Sequence, residues 1–176
     1  MTHDRYDDSY IRGLLGTVKT VAMIGASANT SRPSYFVIKY LGGKGYAVHP
    51  VNPGLVDQQI LGRRVYGSLA DVPAPVDMVD IFRNSEAALE VTREAIRLKD
   101  RLGIKVIWMQ LSVRNDTAAT EAEAAGLQVV MNRCPKIEYG RLSGEIGWAG
   151  VNGGVISSVR PQLGAGVQNQ IIGPKR

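Results

Sequence analysis

A run of β-branched and apolar residues, Val18-Lys19-Thr20-Val21-Ala22-Met23-Ile24, breaks at Gly25-Ala26-Ser27 and gives way to Ser31-Arg32-Pro33-Ser34 and a helix-like stretch. Strand, tight turn and helix in that order define a βα unit. Pro33 falls where the first helical turn should begin, where its missing N–H costs nothing. Backbone N–H groups at such a turn and at the helix start point the same way, and the helix dipole adds roughly half a positive charge there. The unit therefore suits a phosphate.

The same alternation recurs along the chain. Tyr6 to Leu15 reads as a leading helix, Val18 to Ile24 as the first strand, and Ser34 to Gly43 as a helix with Val37, Ile38 and Leu41 on one face. Tyr46 to Val51 is a second strand, a short extended piece lies around Val65, and Val76 to Phe82 is a third long strand. Ser85 is placed to cap a helix with Glu86 in its first turn, Lys99 and Arg101 in its last, and Gly103 as its stop. Its apolar stripe is Ala88, Val91, Ala95, Leu98 and Leu102. Lys105 to Met109 (strand), Asn115 to Ala125 (helix), Leu127 to Met131 (strand) and Ile137 to Leu142 (short helix) complete the pattern.

Strands separated by helical crossovers imply a Rossmann-like, doubly wound α/β fold: a mainly parallel sheet with helices on both faces. Ligands of such sheets sit beyond the carboxyl ends of the strands, which directs attention to Gly25-Ala26-Ser27, Asn52-Pro53, Phe82-Arg83, Gln110 and Cys134. The ordered domain is expected over 1–143. From Gly144 to the end, at 176, eight glycines and no sustained periodicity predict a flexible tail rather than an exchanging arm.

Composition removes several function classes. The chain has 176 residues, 44% of them apolar, enough for one domain that buries roughly 70% of its unfolded surface. No apolar run approaches the ~20 residues of a membrane span, and the Asp-rich start lacks the layout of a signal peptide, so a cytoplasmic protein without a membrane partner is expected. A lone cysteine and two distant histidines, one of them (His3) in an end expected to be disordered, argue against a metal site. The net charge of +5 is spread along the chain rather than clustered, which disfavours nucleic acid and suits an anionic small molecule.

Two absences sharpen the ligand. After the first strand there is one glycine where a dinucleotide fingerprint needs three, and after the second strand Val51-Asn52-Pro53 stands where NAD sites place a carboxylate for the ribose. An NAD(H)-binding oxidoreductase or redox sensor is therefore the alternative, and a phosphorylated adenosine without that carboxylate the main reading.

At this level the chain resembles the coenzyme A-binding domain proteins, stand-alone relatives of the amino-terminal domain of the succinyl-CoA synthetase α subunit. The resemblance runs from about Tyr10 to Leu142 and is carried by Val21-Ala22-Met23-Ile24-Gly25-Ala26-Ser27, Arg32-Pro33-Ser34, Gly45-Tyr46 with Pro50-Val51-Asn52-Pro53, Val79-Asp80-Ile81-Phe82-Arg83, Trp108-Met109-Gln110 and Asn132-Arg133-Cys134-Pro135. It implies CoA or an acyl-CoA as ligand. Gly25, Ala26 and Ser27 would offer backbone donors to the phosphates, and Ser31 and Arg32 would close on the diphosphate. Asn52 and Pro53 would border the adenosine, Phe82 and Arg83 would line the path of the adenine or pantetheine, and Trp108, Gln110 and Cys134 would follow along the same edge. Where the synthetase turn carries a second glycine, this chain has bulkier residues.

Cys134 could meet the pantetheine thiol, although the ordinary fate of a lone cysteine is burial. The synthetases work with a catalytic histidine and further domains, and His49 lies inside the second strand. No nucleophile–base set is legible either. A non-catalytic or regulatory binding module is expected, with a CoA-using enzyme or a second copy as its protein partner.

Overall fold

The computed structural model describes residues 2–145 and 172, and the glycine-rich stretch predicted as a tail falls almost wholly outside the described residues. In chain order the elements are α1 (Asp8–Thr17), β1 (Thr20–Ile24), α2 (Pro33–Gly43), β2 (Ala47–Val51), β3 (Gln59–Ile60), β4 (Arg63–Arg64), β5 (Met78–Ile81), α3 (Ser85–Leu102), β6 (Val106–Met109), α4 (Asp116–Ala124), β7 (Gln128–Val130) and α5 (Pro135–Leu142). Every expected strand and helix is present. The strands are shorter than read from sequence because flanking residues serve other elements: the Val18 amide donates to Leu14 O and ends α1, and the Met131 amide donates to the Tyr6 hydroxyl at 2.7 Å.

Five strands form one parallel sheet in the order β2-β1-β5-β6-β7, and β3 and β4 pair as a separate antiparallel ribbon over the extended piece expected near Val65. The side-chain period of two splits the core into two layers. Val21, Met23, Met78, Val106, Trp108 and Val130 face α1, α2 and α5. Ala22, Val79, Ile81, Ile107, Met109 and Val129 face α3 and α4. Burial on both faces explains the near-continuous apolar strands. Because β1 is flanked by β2 on one side and β5 on the other, the chain reverses direction across the sheet there, and the ligand crevice of such a topology opens between the carboxyl ends of β1 and β5.

Two local expectations are corrected. Asn84, not Ser85, caps α3: its side chain accepts from Ala87 N at 2.8 Å, while the Ser85 hydroxyl accepts from Arg114 N at 3.0 Å and so ties α3 to the loop after β6. Gly103 ends α3 in the left-handed region as expected, at φ 77°. The start of the chain is packed rather than disordered. His3 is buried, its Nδ1 2.9 Å from the Tyr6 hydroxyl and its Nε2 3.4 Å from Glu123, because the Tyr6 and Tyr10 rings lie along the free edge of β7 and carry the segment onto the fold.

Candidate functional site

Gly25 is the first residue past β1 and has φ +85°. A Cβ there would overlap the Phe82 carbonyl oxygen and press on Arg83 Cδ, so the approach of the β5 exit to the β1 exit requires a residue without a side chain. At the β1–β5 switch point the two strand exits thus pack directly on each other over one glycine, with Phe82 and Arg83 against it.

The amides expected to meet a phosphate are already engaged. Gly25 N and Ala26 N both donate to Val51 O, at 3.0 and 3.3 Å, and Ser27 N donates to Ser34 Oγ at 3.1 Å. The reason lies in the ladder: β1 and β2 keep their parallel register to the end of β1, and the Val51 carbonyl takes the next two amides. The following turn is stitched by its own side chains. Asn29 N donates to Ser27 Oγ at 3.2 Å, and Ser31 donates to Asn29 Oδ1 from both its amide (2.9 Å) and its hydroxyl (2.7 Å). Pro33 occupies the first position of α2, as expected.

Asn52 also has a structural part. Its Nδ2 donates to Ala26 O at 2.7 Å and its Oδ1 accepts from Gly54 N at 2.9 Å, so it clamps the β2 exit to the β1 turn, with Pro53 exposed beside it. Phe82 is half-buried against the α1, α2 and α5 layer, and Arg32 and Arg83 are exposed. Neither guanidinium meets a carboxylate among the described residues, whereas Arg93, Arg114 and Arg141 hold Glu121, Asp116 and Glu138 at 2.7 to 2.9 Å.

Three expected wall residues are turned into the fold. Trp108 is wholly buried in the sheet's inner layer and its Nε1 donates to Arg133 O at 2.8 Å, so it is core rather than ligand wall. Gln110 is turned inward, its Nε2 donating to both carboxyl oxygens of Asp80 at 2.9 and 3.1 Å. Cys134 is buried at the start of α5, where burial pushes its thiol up from the ordinary range against the amides of Ile137 and Lys136 that it accepts from, and the neighbouring Asp80 adds to the rise. A protonated, enclosed thiol is a poor partner for a disulfide.

Asp80 is the residue that the strand pattern hid. It is fully buried in β5, one residue before the strand's end, and burial pushes its carboxyl up to about 7, with the Gln110 amide pulling the other way. Its signal in the sequence is an acid at an inward position of a strand covered on both faces, Val79-Asp80-Ile81. His49 is half-buried in β2 against the Tyr66 ring, 5.7 Å away, and its imidazole is lowered by burial. Among the described residues no helix is long and apolar enough to cross a membrane, and no three His, Cys, Asp or Glu side chains gather where they could hold a metal ion.

Comparison with known proteins agrees with this architecture. A family model described as a CoA binding domain matches residues 19–140. The uncharacterized protein YneT of Bacillus subtilis is 30% identical over 129 residues, which is 73% of this chain and 91% of that protein. The solved structure of a hypothetical protein from Pyrococcus horikoshii is 37% identical, with a TM-score of 0.72 over 81% of this chain and 99% of that one. The α subunit of acetate–CoA ligase (ADP-forming) I from Pyrococcus furiosus is 34% identical over 93 residues, 51% of this chain but only 19% of that subunit.

Proposed function

Because this chain belongs to the CoA-binding-domain family, we propose that its β1–β5 crevice holds coenzyme A or an acyl-CoA and that the protein binds this ligand without turning it over. The observation that carries the reading is the pairing of Gly25, bare by necessity, with two guanidinium groups, Arg32 and Arg83, that have no carboxylate among the described residues. An unpaired arginine at a crevice mouth is a ready bidentate partner for a diphosphate.

With the amides of Gly25, Ala26 and Ser27 spent inside the fold, side chains do the anion binding. Arg32 and Arg83 supply charge from opposite walls, the Ser31 hydroxyl supplies a short-range donor once it turns from Asn29, and the start of α2 adds its dipole. Asn52 keeps the turn in place and, with Pro53, borders the adenosine. Phe82 offers an apolar wall. Binding without turnover is supported by how little reactive side chain is accessible at this end of the sheet: Asp80 is fully buried on the Gln110 amide, and Cys134 is buried as well. The ligase relatives are enzymes over much longer chains, which suggests that a CoA-using enzyme acts with this protein as a partner.

Thermal unfolding in the presence of CoA, acetyl-CoA, NAD and NADH tests the proposal. A ligand that binds only the folded state raises stability by RT ln(1 + [L]/Kd), about 3 kcal/mol at a hundredfold excess over Kd. Stabilisation by CoA or acetyl-CoA and none by the nicotinamide dinucleotides is expected; the reverse order assigns the crevice to NAD(H).

A further inference from the structure

The outer face of α2 carries a second stripe, opposite the one that fills the core. Val37, Ile38 and Leu41 are buried, while Phe36, Lys39, Tyr40 and Gly43 recur at helical spacing on the other side. With Lys44 at the end of α2 and Lys136 in the first turn of α5, they line a concavity of about 400 Å³ whose surface is mostly apolar. Phe36 remains 49% exposed beside it. The ammonium groups are held at the aromatic rings: Lys44 Nζ lies 5.3 Å from the centre of Tyr40 and 5.5 Å from that of Tyr139, and Lys136 Nζ lies 5.8 Å from Tyr40.

One end of this groove already holds a carboxylate. Glu145 sits on Lys44 Nζ and accepts from the Tyr40 hydroxyl. Lys39 and Lys136 have no carboxylate among the described residues, which leaves two positive charges around an exposed aromatic ring. From this charge pattern we infer that the α2–α5 groove docks an acidic, apolar-faced segment of a partner protein, with Phe36 and Tyr40 taking its apolar side chains and Lys39 and Lys136 its carboxylates. Two ammonium groups already lie 5.3 and 5.8 Å from the centre of the Tyr40 ring, and Phe36 is the one strongly exposed ring of the groove, a poor platform for successive stacked bases, which favours a protein over a nucleic acid. The inference is independent of the CoA reading, since no residue of the groove belongs to the β1–β5 crevice.

The test uses the full chain and a fluorescein-labelled amphipathic helical peptide of about 16 residues with Glu on one face and Leu and Phe on the other, read by anisotropy. Binding in the range of about 10–100 µM is expected, weakened at least about tenfold by Lys39→Glu with Lys136→Glu and by raised salt. The same peptide with Lys in place of Glu should not bind. The double variant should melt like the parent and keep its CoA affinity, so that lost peptide binding reports the groove rather than the fold. The inference is overturned if the acidic peptide fails to bind the parent, binds the double variant equally well, or is displaced by single-stranded RNA or inorganic triphosphate at lower concentration than by unlabelled peptide. It is also overturned if sedimentation shows a dimer of the parent that the double variant loses, since the groove then belongs to a second copy.

Discussion

Asp77 and Asp80 stand three residues apart at the two ends of the same strand and meet opposite fates. Asp77, just before β5, accepts from the amides of Lys19 and Thr20 at 2.9 and 3.1 Å and from Lys105 Nζ at 2.8 Å. Burial works to raise its carboxyl, but the Lys105 ammonium and the two amides outweigh it and hold Asp77 below the usual carboxylate range. Asp80, at the crevice end, has only the Gln110 amide against its burial and is pushed up to about 7. One end of the sheet is thus stapled by a fully partnered charge, and the other retains a carboxyl that the fold holds at a cost. Under the proposed reading, that cost falls at the edge where the ligand would sit.

The comparison can be broken at several points. The largest effect is expected at the crevice end from Gly25→Val, where a side chain meets the Phe82 carbonyl in a left-handed conformation; a loss of about 3 kcal/mol in denaturant unfolding, with CoA binding abolished, is predicted. A Gly25→Val protein as stable as the parent would mean that the two strand exits do not approach as described. At the stapled end, Asp77→Ala should cost about 2–3 kcal/mol at pH 7, because two amides and an ammonium lose their acceptor. Since the folded-state value of Asp77 lies below the unfolded one, its ionic contribution is fully present above the unfolded value near pH 4 and is lost as acid titrates the folded carboxyl, so the gap between parent and variant should narrow as pH falls below about 4.

Asp80→Asn should act in the opposite sense. A carboxyl raised in the folded state weakens the fold as pH climbs from about 4 to about 7, because the unfolded chain gives up the proton first. The variant lacks this loss, so it should equal the parent near pH 4 and exceed it by about 1–3 kcal/mol at pH 8, as read from urea unfolding at each pH. Equal pH profiles for the two proteins would remove the contrast between the ends of β5. The smallest effect concerns Cys134: at pH 8 its alkylation by iodoacetamide should run about a hundredfold slower than that of a free thiol and recover in denaturant.

Much of this was legible in the chain itself, because the features involved are local. The β1–turn–α2 unit, Pro33 at the helix start, Gly103 as a stop and the alternation that specifies a parallel sheet all follow from periodicity and turn chemistry over a few residues. What was not legible depends on contacts distant in sequence. That Val51 O takes the amides of Gly25 and Ala26 follows from how far the β1–β2 ladder runs, and that Trp108 and Gln110 turn inward follows from which face of β6 the helices α1, α2 and α5 cover. The Asn84 cap was displaced by one residue because Ser85 and Asn84 are both competent, and only the loop after β6 decides which hydroxyl or amide is free. Arg83 follows from topology, as a residue just past β5, and the role of Arg32 from the resemblance; that neither meets a carboxylate among the described residues, as Arg93, Arg114 and Arg141 do, emerges only from the folded arrangement.

The account stands on those two guanidinium groups acting together at the mouth of the crevice. Calorimetric titration of CoA into the parent and into an Arg32→Ala, Arg83→Ala double variant addresses it directly. Loss of the two charge-assisted contacts should weaken CoA binding by about a hundredfold while leaving the melting temperature of the free protein unchanged within about 2 °C. CoA bound by the double variant as tightly as by the parent would contradict the account.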